Sequence, residues 1–342
     1  VISRGVVTVQ GDEQTGFEYT LNVRVQAPNE AAAMKLAEGV QRRIWREGST
    51  LHLRITEGSP GTLPHELEVR APRSLLSTHV RTSGGRVNVS DLAGDVEAES
   101  GGGPISADRI GGGFVARTAG GAVEVGTVGG PVSCLTGGGD ITVQQVGANA
   151  TLDTGGGRIT VTRAGGSLQA TTGGGDINIE HAAGTVLART RGGVIRVQEA
   201  AGMVSIDSAG GAIQVGAARG VRCQSAAGGI RLRGVGGPLS VSTSVGSIQA
   251  EFSLRLPLQD SFLNTGSGDV TVLIPSNMAV TVRAQNGSPG IQRRIISDFP
   301  EIRVRSSGQA RAMTIAEGVL NGGGPLLRIA AADGTIFLRR LK

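Results

Sequence analysis

The chain has 342 residues, of which 57 are glycine and only eight aromatic, with a single Trp and a single Tyr. That scarcity excludes a broad core filled by rings and removes the platforms on which sugars or bases stack; collagen is excluded because glycine does not recur at every third position, and a hydrophobic content of 39% opposes simple disorder. The formal charge of +5 rests almost wholly on arginine, since Lys35 and Lys342 are the only lysines, and residues 291–342 hold nine basic groups against four acids whereas residues 1–68 sum to −2.

In chain order, residues 1–80 read as a small α+β cap or assembly unit. VVTVQG, FEYTLNVRVQA and STLHLRITEG alternate as strands. NEAAAMKLAEGVQRRIWREG is expected to be a helix capped by Asn29, with Ala33, Leu36, Val40 and Ile44 on its apolar face. The end of a stacked β-structure exposes unpaired edges and needs such a cap. The same surface would otherwise join another copy, and residues 1–10, VISRGVVTVQ, are suited to donation to a neighbour. No apolar run reaches the roughly 18 residues of a membrane span. The chain begins at Val1, and removal of a signal peptide from an exported, cell-surface or extracellular protein is expected.

Residues 81–275 carry an internal repeat. Aligning on Gly-Gly-x-Φ-x-Φ, with Φ apolar, places the first apolar residue at Val87, Ile105, Val123, Ile141, Ile159, Ile177, Ile195 and Ile213, every interval being 18 residues. A deletion near Gly220 shortens one unit to 17, and the register resumes at Ile230 and Ile248. A second Φ-x-Φ starts halfway, at Val96, Phe114, Val132, Ala150, Leu168, Val186 and Val204. Each unit is therefore two short strands joined by glycine-rich corners, and stacking at ~4.8 Å turns equivalent residues into continuous columns. This predicts a mainly β protein: a parallel β-solenoid, or β-helix, of 18-residue coils. Large pairs such as Ile141/Val143 face mixed pairs such as Leu168/Ala170, so a thin core closes without rings. The corner glycines are expected to supply positive φ or close backbone approach.

A further column comprises Ser100, Thr118, Thr136, Thr154, Thr172, Thr190, Ser208, Ser225 and Thr243. Its parity points inward, which sets aside an ice-binding reading and predicts a structural ladder of hydroxyls bonded to one another and to corner backbone. Cys134 and Cys223 share another inward column five coils apart, too far for a disulfide, and read as small buried hydrophobes. After residue 250 the pattern loosens: FSLRLPLQD is an insertion, GSGDVTVLIP resumes the strand, and residues 276–342 close the solenoid, with LLRIAAADGTIFLRRL as a hairpin or final coil around Asp333-Gly334. The basic groups Arg293, Arg294, Arg303, Arg305, Arg311, Arg339 and Arg340 form a candidate contact surface there.

The order of features resembles the bacterial putative-adhesin β-solenoid domain family of unknown function. The resemblance is carried by an N-terminal strand–helix–strand unit, LEVRAP at 67–72, serial G-x-Φ-x-Φ coils, SGDVTVLIP at 267–275 and NGGGPLLRIAAADGTIFL at 321–338. It implies a right-handed β-solenoid at or outside the cell envelope, with no catalytic residues to carry over.

The residues themselves offer no catalytic constellation. His52, His65, His79 and His181 lack metal-ligand spacing, and G-x-S-x-G and Gly-Lys-Ser/Thr do not occur. Asp140, Asp176 and Asp269 recur at corners, but the G-G-x-G-x-D turns of calcium β-rolls are not repeated. The outward column Glu99, Arg117, Leu135, Asp153, Thr171, Arg189, Asp207 mixes signs, unlike the clustered carboxylates of a polysaccharide-cleaving groove. A basic end without aromatic platforms argues against nucleic acid. The expected protein is therefore non-enzymatic, without cofactor or metal: a structural solenoid joined head-to-tail through its ends into an extracellular filament. The alternative is a monomeric surface adhesin or binding module for an anionic glycan or envelope component.

Overall fold

A computed structural model describes residues 5–24, 27–57, 65–287, 294–306 and 313–341. The chain divides into two compact units, residues 1–158 and 159–342, so the compositional boundaries near 80 and 275 each fall inside one unit. Each unit is a parallel β-solenoid with two sheets.

The repeating coil follows from its side chains. In the first unit the six-residue strand Ile141–Val146 turns Ile141, Val143 and Val146 inward, and the five-residue strand Ala150–Thr154 turns in Ala150, Leu152 and Thr154. Ile177–Ala182 and Val186–Thr190 repeat the arrangement in the second. Partners lie 18 residues apart, Val123 beside Ile141 and Val186 beside Val204, so every inward side chain sits on its own counterpart. Burying each such Val, Ile or Leu contributes roughly 1.5–3 kcal/mol. The Φ-x-Φ pattern overlooked one inward residue of each longer strand: Leu92, Ile110, Val128 and Val146 in the first unit, and Ala164, Ala182, Ala200, Ala218 and Val235 in the second. Two residues rather than one separate it from the preceding inward position, which breaks the alternation. At Asp91 and Arg109 this irregularity takes up a left-handed backbone, φ 62° and 53°.

The 17-residue coil is closed by a two-residue corner, Arg219-Gly220, and the register Val204 to Val221 and Ile213 to Ile230 absorbs the missing residue without disturbing either sheet. FSLRLPLQD is an insertion as expected: beyond it partners lie 22 residues apart, Val241 beside Leu263, and its Pro257 carbonyl accepts a hydrogen bond from Gly237 N at 2.7 Å.

The ends depart from the expectations. In the first unit the sheet of longer strands begins Glu18–Val23, His65–Pro72, Gly5–Asp12, Arg86–Leu92. Gly5–Asp12 is paired along both edges, parallel to His65–Pro72 and to Arg86–Leu92, so residues 5–10 are already used by their own chain and are not free for donation; residues 1–4 lie outside the described residues. The expected helix over 29–48 is confined to Glu30–Glu38, where Asn29 Oδ1 accepts from Ala32 N at 2.9 Å. Val40–Glu47 is instead a strand, antiparallel to Thr50–Glu57. Gly39 ends the helix, Val40, Ile44 and Trp45 favour extended backbone, and Gly48 at φ 61° makes the reversal. Trp45 stacks on His52, ring centroids 4.7 Å apart.

In the second unit LLRIAAADGTIFLRRL is a coil and not a hairpin. Leu326–Asp333 lies in one sheet and Thr335–Leu341 in the other, both parallel to their neighbours, with Gly334 at φ 125° between them. This last coil in sequence is inserted in space: Leu326–Asp333 separates Ser261–Ser267 from Val280–Asn286, and Thr335–Leu341 separates Val270–Pro275 from Arg294–Ser297. Antiparallel Thr314–Leu320 and the four-residue Arg303–Ser306 complete the first of these sheets.

Close approach, not positive φ, explains the corner glycines of the regular coils. Gly139 has an ordinary φ, but a Cβ there would run into the carbonyl of Gly121 one coil earlier, whereas a Cβ on Gly138 meets nothing within 4 Å. Gly139→Ala is therefore expected to destabilise the fold by about 1–3 kcal/mol, and Gly138→Ala to change stability by less than about 0.5 kcal/mol. Paired urea unfolding curves check this, and equal midpoints would refute the stacking argument.

Candidate functional site

The hydroxyl column is buried along its whole length, no member being more than 7% exposed. Of the two kinds of hydrogen bond expected, to one another and to corner backbone, the backbone kind is seen along the column. In the first unit Ser100 donates to Gly85 O at 2.8 Å and accepts from Gly103 N at 2.8 Å. Thr118, Thr136 and Thr154 repeat this with Gly103, Gly121 and Gly139 as acceptors at 2.8–2.9 Å. In the second unit Thr190 donates to Gly175 O at 3.0 Å and Thr243 to Gly228 O at 3.1 Å. Thr172 accepts from Gly175 N, and Ser208 bonds only within its own corner, to Gly211. Ser225 leaves its buried hydroxyl without a partner, and Gly228 N, three residues on, donates to Val245 O instead.

Two members were missed: Thr82, which accepts from Gly85 N, and Thr265, which donates to Gly246 O at 2.8 Å. TSGG at 82–85 matched the pattern, while the insertion displaced Thr265 from it. Further on Asn286, fully buried, takes the place with its amide, Nδ2 to Gly334 O at 2.6 Å. Ser100, Thr118, Thr136, Thr154 and Thr190 thus each join two successive corners, a structural task.

The corner aspartates are similarly engaged. Asp140 Oδ1 accepts from Arg158 N at 2.7 Å, Asp176 from Val194 N at 2.8 Å and Asp269 from Thr335 N at 2.8 Å, each fastening the next coil. Among the described residues no cluster of three His, Cys, Asp or Glu is placed to hold a metal. His79 and His181 pair with Glu97 and Glu199 one coil on, at 3.0 and 3.1 Å; the side chain of His65 lies outside the described residues. Cys134 and Cys223 are free thiols in the core, and burial pushes the Cys134 pKa up to about 12 and that of Cys223 upward as well.

The candidate basic residues that are described lie on both sheets of the second unit. Arg293 and Arg311 lie outside the described residues. Arg303 and Arg305 sit on the terminal strand of one sheet, Arg303 opposite Glu317, which itself accepts from Arg283 at 2.7 Å. Arg294, Arg339 and Arg340 belong to the other sheet. Arg339 pairs with Asp298 at 2.8 Å and holds that carboxyl below the usual range, while Arg340 lies over the Phe299 ring. Elsewhere outward arginines also meet carboxylates across coils, Arg81 with Glu99, Arg109 with Asp91, Arg117 with Glu97 and Arg189 with Asp207, and Arg109 also pairs with its neighbour Asp108.

One outward face of the second unit differs. On the longer-strand sheet Asn178, Arg196, Gln214, Arg231 and Gln249 stand side by side, one per coil. Arg196 donates to Asn178 Oδ1 at 3.5 Å and Arg231 Nε to Gln249 Oε1 at 3.0 Å. Asn178, Arg196, Gln214 and Arg231, with Glu180 and Arg233, border an open groove of about 640 Å³. Among the described residues Arg196, Arg231 and Arg233 form no ion pair. The register that gave the inward columns already contained this row one position along.

No family model matches the chain, and no curated protein matches it. A solved structure described as a putative cell adhesion protein from Clostridium sporogenes is similar at 8% identity and a TM-score of 0.21, over 99% of this chain and 90% of that one. At that TM-score the likeness carries no argument. What the chain's own geometry defines is a β-solenoid, and among the described residues no helix is long and apolar enough to cross a membrane.

Two outcomes are expected from this geometry. Thr154→Val strands one N–H and one carbonyl of successive corners and lowers stability by about 1–3 kcal/mol, whereas Thr154→Ser retains most of it; denaturant unfolding of the pair distinguishes a hydroxyl bridge from mere packing. The native protein resists a thiol reagent near pH 8 and takes up two equivalents once denatured; rapid native labelling would contradict the buried, protonated state of both cysteines.

Proposed function

We propose that this chain is an exported, non-enzymatic surface scaffold, a monomeric adhesion or binding module whose stacked coils hold rows of side chains toward a partner. The observation that carries the reading is the occupation of its own end strands. Gly5–Asp12 is paired on both edges, and the Leu326–Leu341 coil is enclosed between earlier strands. The head-to-tail filament would therefore have to use what is left at the sheet edges, such as Glu18–Val23 and the four-residue Arg303–Ser306, and short edges of this kind are a common guard against edge-to-edge pairing.

The absence of catalysis is supported by the engagement of reactive groups. Hydroxyls bridge corners, corner aspartates fasten backbone, and two histidines and several carboxylates are paired across coils. Light scattering and negative-stain microscopy across a concentration series test the reading. A monomer at every concentration is expected, and long fibres that survive raised salt would overturn it in favour of a filament.

A further inference from the structure

The groove on the longer-strand sheet of the second unit is the strongest unassigned feature of the surface. We propose that it binds an acidic polysaccharide carrying a carboxylate on alternate sugars, laid along the stacking direction of the coils. The inference rests on the binding-scaffold reading and adds a ligand class and a site to it.

Spacing is the first argument. Coils succeed one another at ~4.8 Å, so Arg196 and Arg231, two coils apart, stand ~10 Å apart. That is about the length of a disaccharide, so each guanidinium meets one carboxylate of a chain charged on every second sugar. Between and beside them stand Asn178, Gln214 and Gln249, whose amides both donate and accept and so suit the hydroxyl or acetamido groups of the intervening sugars.

Charge is the second. Arg81, Arg109, Arg117, Arg189, Arg283 and Arg339 spend their charge on carboxylates of the same unit. Arg196 and Arg231 are held by neutral amides instead, through single hydrogen bonds that leave other guanidinium N–H groups for an incoming carboxylate. A guanidinium fork matches that group in shape as well as sign. Arg233, two residues along the same strand, adds a third cation, and Glu180 is the one acid among the lining residues. The lining is thus net positive and shaped for an extended ligand.

Single-stranded nucleic acid fits less well. It carries charge at every unit and relies on stacking against aromatic rings, and the groove has none among its lining residues. An acidic peptide has its charges too close together, successive residues advancing only ~3.3 Å in an extended chain.

The test uses the full chain and defined probes. Calorimetric titrations would compare hyaluronan oligosaccharides, charged on alternate sugars, with oligogalacturonate, charged on each, and with dextran, single-stranded DNA and polyaspartate. Hyaluronan is expected to bind at least about tenfold more tightly than the others and to weaken as salt rises. The R196Q/R231Q/R233Q variant, with an unchanged circular dichroism spectrum, is expected to lose at least about tenfold in affinity, and R303Q/R305Q to lose none.

Failure of every anionic glycan to bind, binding unaffected by the triple substitution, or equal binding of DNA or polyaspartate would each overturn the proposal. If the wild-type chain remains monomeric and adheres to intact bacterial cells while ignoring hyaluronan, the ligand assignment falls and the scaffold reading stands. Fibre formation without glycan binding would sink both.

Discussion

The hydroxyl that bonds simultaneously to its own corner and to the corner of the coil before it is the constraint from which the rest of the structure follows. For Thr136 to reach Gly121 O at 2.8 Å, the two corners must close to backbone contact, and only glycine leaves the room. Once the corners are fixed at that spacing the strands on either side can stack only in register, Val132 on Ala150 and Val123 on Ile141. Inward side chains then form columns without any need for large rings. The glycine content and the poverty in aromatics thus have one cause, a coil so thin that its reversals nearly touch their neighbours. Where the rule lapses the cost is visible: Gly228 N, three residues beyond Ser225, donates to Val245 O, and Ser225 keeps a buried hydroxyl with nothing to bond.

Much of this was legible in the sequence because the controlling interactions repeat every 18 residues. Period and parity placed Ile141, Leu152 and Thr154 inside, and they are inside. The same periodicity hid Val146, because a strand that skips one extra residue no longer alternates. The helix failed at Val40 for a related reason: Ala33, Val40 and Ile44 are spaced as a helix would have them, but the second half also pairs residue by residue with Thr50–Glu57, and that pairing is not visible in either segment alone. Least legible were the ends. Nothing in VVTVQG states that it will sit between two strands that follow it by about sixty and eighty residues.

The outward faces obey a different logic. Residues one coil apart in sequence become lateral neighbours, so an acid and a base 18 positions apart meet, as Arg189 meets Asp207 and His181 meets Glu199. Such exposed pairs add little stability each, yet they decide what a face offers to solvent by neutralising it locally. The row at Asn178, Arg196, Gln214, Arg231 and Gln249 stands out because its charges are met by amides. The C-terminal arginines, conspicuous in the composition, are divided between two sheets, and part of their charge is already met. Composition counted charges; register determined which of them remain available.

The insertion of the last coil bears on how the second unit comes into being. Val280–Asn286 cannot take its place by stacking on Ser261–Ser267, because Leu326–Asp333 must lie between them. During synthesis, therefore, the edge of Ser261–Ser267 stays open until some sixty further residues have emerged, and assembly at that end awaits the arrival of the distal segment. A chain cut short before that segment would keep an exposed, sticky edge where the full one has a closed sheet. The strands at this end of the second unit thus take their places in an order different from that in which they are made.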